Sequence, residues 1–271
     1  MNIPASGKPE PFSLVDLPGG RSRDKPRSQG HTMMIDWGVP LGRQRDILEM
    51  AGRYIDFAKI AVGTSRFYDE HYLTSKLALY KEYRVRPFLG GQFQEYVFAK
   101  MGTQALRPFL EEALRLGFEV VEVSDNCIPL SDAERDEQIR LAVDVGLTVL
   151  GEVGSKSDQS SAGLLISQAT QAFGAGAELV LVEGAELIEN GAINSQMLGA
   201  FEQGLDMTKV MIELPGPWVS GTSLSGIHDL KKTLIRQFGA DVNIANIMPD
   251  DIIETEALRC GLGVVGPQPD N

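Results

Sequence analysis

The chain has little cysteine, little histidine and no long apolar run. Cys127 and Cys260 are the two cysteines among 271 residues, too few for a disulfide framework. His31, His71 and His228 show no metal-ligand spacing, and the last two stand in helix-like stretches, so all three read as surface or packing residues. No stretch approaches the roughly 18 apolar residues of a membrane span. Residues 1–40 lack the apolar core of a secretory signal, so a cytoplasmic location is expected. Positive charge is also scarce: 25 Lys and Arg stand against 37 Asp and Glu, a formal net charge of -12. That balance argues against a nucleic-acid partner and against docking on an anionic membrane. There is no P-loop and no nucleophile elbow, and Ser155, which follows Gly154, has no nearby histidine to activate it.

What is present is a repeating pattern. At 43% hydrophobic and 23% charged residues, the composition is that of a globular chain with a sizeable core. Residues 1–29 are rich in Pro, Gly and Ser, carry Arg21, Arg23, Lys25 and Arg27, and read as a tail or a strap. From His31 onward, short β-branched runs alternate with amphipathic stretches. The runs are His31–Gly38, Ile55–Val62, Arg84–Gly91, Phe118–Asp125, Leu147–Gly154, Ala177–Gly184, Lys209–Pro215 and Asp241–Ile247. Each starts about 30 residues after the last, the length of a βα unit. Between them, Leu130–Gly146 has Ser131 as N-cap, Glu134 at capping-box spacing and a closing glycine. Eight such units predict an α/β fold of one domain, a (β/α)8 TIM barrel over 30–265 with a short tail at 266–271. A doubly wound sheet is the alternative.

In such a barrel the site is built at the C-terminal ends of the strands. Strand one ends in Asp36. Strand two carries Lys59 and leads into Thr64 and Ser65. Gln92 and Glu95 lie just beyond strand three. Strand four carries Glu122, Ser124 and Asp125; strand five carries Glu152, with Ser155 and Lys156 beyond it. Glu183 and Glu213 stand on strands six and seven, and Asn243 and Asn246 on strand eight. Five carboxylates at one end of a barrel are costly unless cations neutralise them. Lys59 and Lys156 supply two charges, and an all-oxygen donor set suits Mg²⁺. Asp36, Glu122, Glu183 and Glu213 are therefore the expected metal ligands. Lys156, Lys59 and Glu152 are the expected catalytic groups. Thr64, Ser65, Ser124, Asp125, Ser155, Asn243 and Asn246 are expected to bind substrate. The Gly/Ser/Thr-rich loop Gly216–Gly226 either cradles an anion on backbone N–H groups through Ser220, Gly221 and Thr222, or forms a lid.

These strand ends resemble those of the phosphosulfolactate synthase family. The likeness is carried by Thr32–Gly38 (TMMIDWG), Tyr54–Ser65 (YIDFAKIAVGTS), Gly90–Gly91, Leu116–Asp125 (LGFEVVEVSD), Glu152–Lys156 (EVGSK), Glu183, and the strand-eight VNIANI with the downstream ETEALRCGL. It runs from about Gly30 to Gly263. The resemblance implies a (β/α)8 barrel and Mg²⁺-dependent addition of sulfite to phosphoenolpyruvate, and it implies a homo-oligomer. It carries roles onto Asp36, Lys59, Glu122, Asp125, Glu152, Lys156, Glu183, Glu213 and Asn243. The chain departs from the family pattern where cations are expected. Trp37 replaces a lysine, Ser155 precedes Lys156 in place of a lysine pair, Ala185 replaces an arginine, and the strand-seven loop is neutral. The expected substrate is a small anionic carboxylate, phosphorylated or not, shifted toward a less charged and more apolar molecule. Two other readings of the same residues are a Schiff-base aldolase using Lys59 or Lys156, and a non-catalytic stress-related or interaction protein on the same scaffold.

Overall fold

The computed structural model describes residues 11–17, 20–154, 160–189 and 192–264. All eight runs form strands: β1 (Thr32–Asp36), β2 (Phe57–Ile60), β3 (Arg86–Leu89), β4 (Val120–Val123), β5 (Thr148–Val153), β6 (Leu179–Glu183), β7 (Val210–Glu213) and β8 (Asn243–Ile247). Each pairs in parallel with the next, and β8 pairs back onto β1, so the sheet closes. Closure sets aside the doubly wound alternative. The expected (β/α)8 barrel is the observed fold.

The runs are apolar throughout because both faces of the sheet are covered. Met33, Phe57, Phe88, Val120, Leu150, Leu179, Leu181, Met211 and Ala245 point inward and fill the barrel. Their neighbours of opposite parity, among them Met34, Ala58, Ile60, Val121, Val149 and Val180, pack against the helix layer. That layer comprises α1 (Leu41–Ala51), α2 (Glu70–Glu82), α3 (Gly91–Met101), α4 (Leu106–Leu116), α5 (Asp132–Val145), α6 (Ala162–Ala175), α7 (Ser195–Gly204), α8 (Leu224–Phe238) and α9 (Ile252–Arg259). The predicted capping box is present: Ser131 Oγ accepts from Glu134 N, and Glu134 Oε2 accepts from Ser131 N at 2.8 Å. Among the described residues no helix is long and apolar enough to cross a membrane.

Residues 21–31 cross the N-terminal end of the barrel. Arg21 bonds Glu256 and Asp241 and the carbonyl of Gly30. Lys25 Nζ donates to the carbonyls of Gly52, Ile55 and Tyr83. Arg27 pairs with Asp56 at 2.9 Å. Arg21, Lys25 and Arg27 are thus spent on closing the barrel floor. Burial holds the Lys25 amine down at about 8.

Candidate active site at the C-terminal mouth

Strand parity decides which acids meet. Glu122, Glu152, Glu183 and Glu213 have the inward parity and sit one layer above the apolar plug. Glu183 and Glu213 are direct neighbours in the β6–β7 register. Glu152, Glu183 and Glu213 each bring a carboxylate oxygen within 4.8 Å of the others, and all three are buried. Lys59 comes from β2 into this group. Its Nζ lies 2.6 Å from Glu122 Oε2 and 2.7 Å from Glu213 Oε1.

Glu122 is the acid most altered by its setting. Burial pushes its carboxyl well above the usual carboxylate range; Lys59 opposes that, while the charges of Glu152 and Glu213 and a hydrogen bond to Glu152 add to it. Its Oε1 accepts from the Gly91 amide at 3.0 Å. A Cβ at Gly91 would lie 2.8 Å from that same oxygen and would also overlap Ser124 Oγ. Gly91 is therefore required by the close approach of Glu122, whereas Gly90 is pressed by the β2 backbone at Ile60 and Val62. Asn126, not singled out from the sequence, donates to Glu152 Oε1 at 2.6 Å. Its one signal was its place directly after Asp125. Glu95 is buried and accepts from Ser124 Oγ at 2.5 Å and from the amides of Cys127 and Ile128, so it fixes the loop after β4.

A cavity of about 140 Å³ opens above these groups. Lys59, Glu122 and Glu213 form its polar floor, and Trp37 and Trp218 stand in its wall. The two indoles lie 5.2 Å apart between ring centroids at 47°. Gly216 makes this possible, because a Cβ there would overlap the Trp218 ring. Asn246 also lines the cavity, held at φ 59° with its amide on the Leu214 carbonyl.

Several expected site residues serve elsewhere. Asp36 is no member of the carboxylate group. It has the outward parity of Met34 and pairs in register with Ile60, so it faces α2. There it sits 2.5 Å from Lys76 Nζ and from Tyr80 OH, and its other oxygen accepts from the Gly38 and Val39 amides. Burial lowers the Lys76 amine and raises the Tyr80 phenol, against and with the Asp36 charge respectively. Asn243 opens β8 at the barrel floor, where it accepts from His31 N and donates to three carbonyls. It is a strut at the end opposite the mouth. Asp125 pairs with Arg135 at 2.5 Å. Thr64 Oγ1 caps its own turn on the Ala61 carbonyl, and Ser65 lines a different cavity beneath α2 and α4. Ser220, Gly221 and Thr222 form a turn and do not line the mouth; Trp218 from the same loop does. Ser155 and Lys156 lie outside the described residues.

A closed parallel barrel with a lysine held among buried carboxylates at the C-terminal strand ends has the architecture of a barrel enzyme. The chain belongs to the phosphosulfolactate synthase family: the family model described as (2R)-phospho-3-sulfolactate synthase (ComA) matches residues 20–264. It is 33% identical over 245 residues to the phosphosulfolactate synthase of Methanocaldococcus jannaschii, covering 86% of this chain and 92% of that one. It is 30% identical over 251 residues to the phosphosulfolactate synthase of Bacillus subtilis, covering 88% and 92%. Among solved structures, the YdjI aldolase of Escherichia coli K12 shares the fold at a TM-score of 0.56 and 12% identity, covering 82% of this chain and 76% of that one.

Proposed function

We propose that this chain is a Mg²⁺-dependent synthase of the phosphosulfolactate type. It adds a nucleophile such as sulfite to the methylene carbon of phosphoenolpyruvate or a related unsaturated carboxylate. The carbon–sulfur bond forms as the double-bond electrons move toward the carboxylate, giving an enolate-like charge, and a proton then arrives at the adjacent carbon. The observation that carries this reading is Lys59, an ammonium fixed between Glu122 and Glu213 on the cavity floor. In that position it suits holding an anion or delivering a proton rather than attacking a carbonyl, which favours this chemistry over a Schiff base.

The donor set fits a hard divalent ion. Glu152, Glu183 and Glu213 present converging buried oxygens, and such carboxylates repel one another without a cation. These three residues would hold Mg²⁺, which when bound supplies Lewis-acid stabilisation of the developing enolate charge. Asn126 orients Glu152, and Gly91 N orients Glu122. The paired indoles beside the floor support a substrate with an apolar face, shifted from phosphoenolpyruvate toward a less charged carboxylate.

The direct test measures product from sulfite with phosphoenolpyruvate, and with unphosphorylated unsaturated carboxylates, in Mg²⁺ and in EDTA. The expected result is Mg²⁺-dependent turnover with the unphosphorylated acids ahead. Rapid turnover of phosphoenolpyruvate would overturn the substrate shift. Absence of turnover with every acceptor would overturn the reaction class.

A further inference from the structure

Two helices, α3 and α4, lie between β3 and β4, and they bury different things. From α4, Leu106, Leu110 and Ala113 are buried, and the last two join the apolar layer around the sheet. From α3 the buried residues are Gly91, Gln94, Glu95 and Val97. Packing alone does not ask for a buried glutamine and glutamate, since each is costly unless its polar atoms are matched. Gly91 and Glu95, four residues apart, share one face of α3. Gly91 N serves Glu122 at the mouth. Gln94 Nε2 donates to Gln138 Oε1 at 2.8 Å and so ties α3 to α5.

Glu95 is 3% exposed and gathers four donors from one short segment of the loop after β4. Its Oε1 accepts from Ser124 Oγ at 2.5 Å and from Asn126 N at 3.3 Å. Its Oε2 accepts from Cys127 N at 2.6 Å and from Ile128 N at 2.9 Å. The same segment carries Asn126 Nδ2 to Glu152 Oε1 at 2.6 Å. Asn126 Oδ1 is buried and has no partner among the described residues. No second side-chain bond therefore steers Asn126. Its direction comes from its backbone, and that backbone is held by Glu95.

We propose that Glu95 is a positioning residue for the mouth. By clamping residues 124–128 it keeps the Asn126 amide on Glu152, and it thereby sets how tightly the carboxylate group holds its cation. Groups that hydrogen-bond a metal ligand typically change metal affinity by about tenfold or more when removed. The effect on the cation rests on the proposed Mg²⁺ site; the clamp itself does not.

The test is a double-mutant cycle on the full chain with Glu95→Gln and Asn126→Ala. Glutamine keeps one acceptor and turns the other into a donor that faces N–H groups, so it breaks half of the clamp. Mg²⁺ affinity is read by calorimetry, and the Asn126 side-chain amide by ¹⁵N-asparagine spectra without metal, assigned by its loss in Asn126→Ala. In Glu95→Gln the Asn126 amide signal should move, and Mg²⁺ should bind about tenfold or more weakly while far-UV circular dichroism stays native. The double variant should bind Mg²⁺ no more weakly than Asn126→Ala alone. Glu95→Asp, which keeps the charge one methylene short, takes the place of Glu95→Gln in the cycle if the latter does not fold. An Asn126 signal unmoved in the Glu95 variant, Mg²⁺ affinity unchanged there, or losses that multiply in the double variant would overturn the assignment. Wild-type protein that binds no Mg²⁺ would instead sink the metal site, and the Asn126 signal would still decide the clamp.

Discussion

Lys59 Nζ stands 2.7 Å from Glu213 Oε1, joining β2 to β7 between strands that share no backbone pairing. Lys59→Met should reduce turnover about a hundredfold or more while far-UV circular dichroism stays native. It also strips the cation from two buried acids, which costs about 3–5 kcal/mol. Adding Glu122→Gln should restore part of that stability and none of the activity. Denaturant titration beside the assay separates the two effects.

Stability should depend on pH through Glu122. Its folded carboxyl titrates well above the ordinary 4.5 of the unfolded chain, so the folded state holds more protons above that pH. The associated stability is fully present below about 4.5 and is lost as pH rises toward the folded value. Glu122→Gln keeps an oxygen for the Gly91 amide and removes the titration. Melting curves from about pH 4 to about 8 should therefore show a flatter profile for the variant and a higher Tm near neutrality.

Mg²⁺ should raise the melting temperature by mass action, with about 2.7 kcal/mol gained at a hundredfold excess over Kd. Glu152→Gln, Glu183→Gln and Glu213→Gln should each weaken that response. An unchanged Tm across millimolar Mg²⁺, with and without substrate, would sink the metal assignment.

Trp37 and Trp218 should govern substrate choice. Gly216→Ala displaces the Trp218 ring without touching a charge, and it should lower kcat/KM for unphosphorylated acids. Trp37→Lys should move the ratio of kcat/KM toward phosphoenolpyruvate by about tenfold, since it restores a cation beside the cavity. A ratio that stays fixed in both variants would rule out a specificity role for the indoles.

Asp36 and Lys76 should behave as a structural pair. Lys76→Met leaves a wholly buried carboxylate uncompensated, at about 3–5 kcal/mol. Lys76→Met combined with Asp36→Asn should recover much of that loss. Turnover per folded molecule should persist in the double variant, which a metal-ligand role for Asp36 would forbid.

The contrast between Asp36 and Glu122 shows what the sequence makes legible. Eight evenly spaced apolar runs announce the barrel because parallel strands buried on both faces need little polar residue anywhere. That same uniformity hides parity: in Thr32–Asp36 nothing local says that Met33 faces the barrel interior and Asp36 the helices. Glu122, Glu152, Glu183 and Glu213 are legible because they interrupt their runs at the C-terminal end. Asn243 interrupts its run at the wrong end. Lys76 had a signal, a lysine within the apolar stripe of Leu73, Leu77 and Tyr80, but its partner is 40 residues away on another element. The basic segment near the N-terminus reads as a tail or strap, but the partners it straps onto do not show in the sequence, for a related reason. Lys25 binds backbone carbonyls, which leave no mark in the sequence.

Arg21 touches Asp241 and Glu256, residues 220 and 235 positions later. The start of the barrel is therefore secured by its end. During synthesis β1 is made before β8 and α9 and waits for them, so until those two elements are in place the sheet has two unpaired edges. Such long-range closure is slow, and open edges invite pairing with other chains. A truncation that removes α9 would lose more than one helix: it would free both the strap and the seam, leaving an open sheet prone to aggregate.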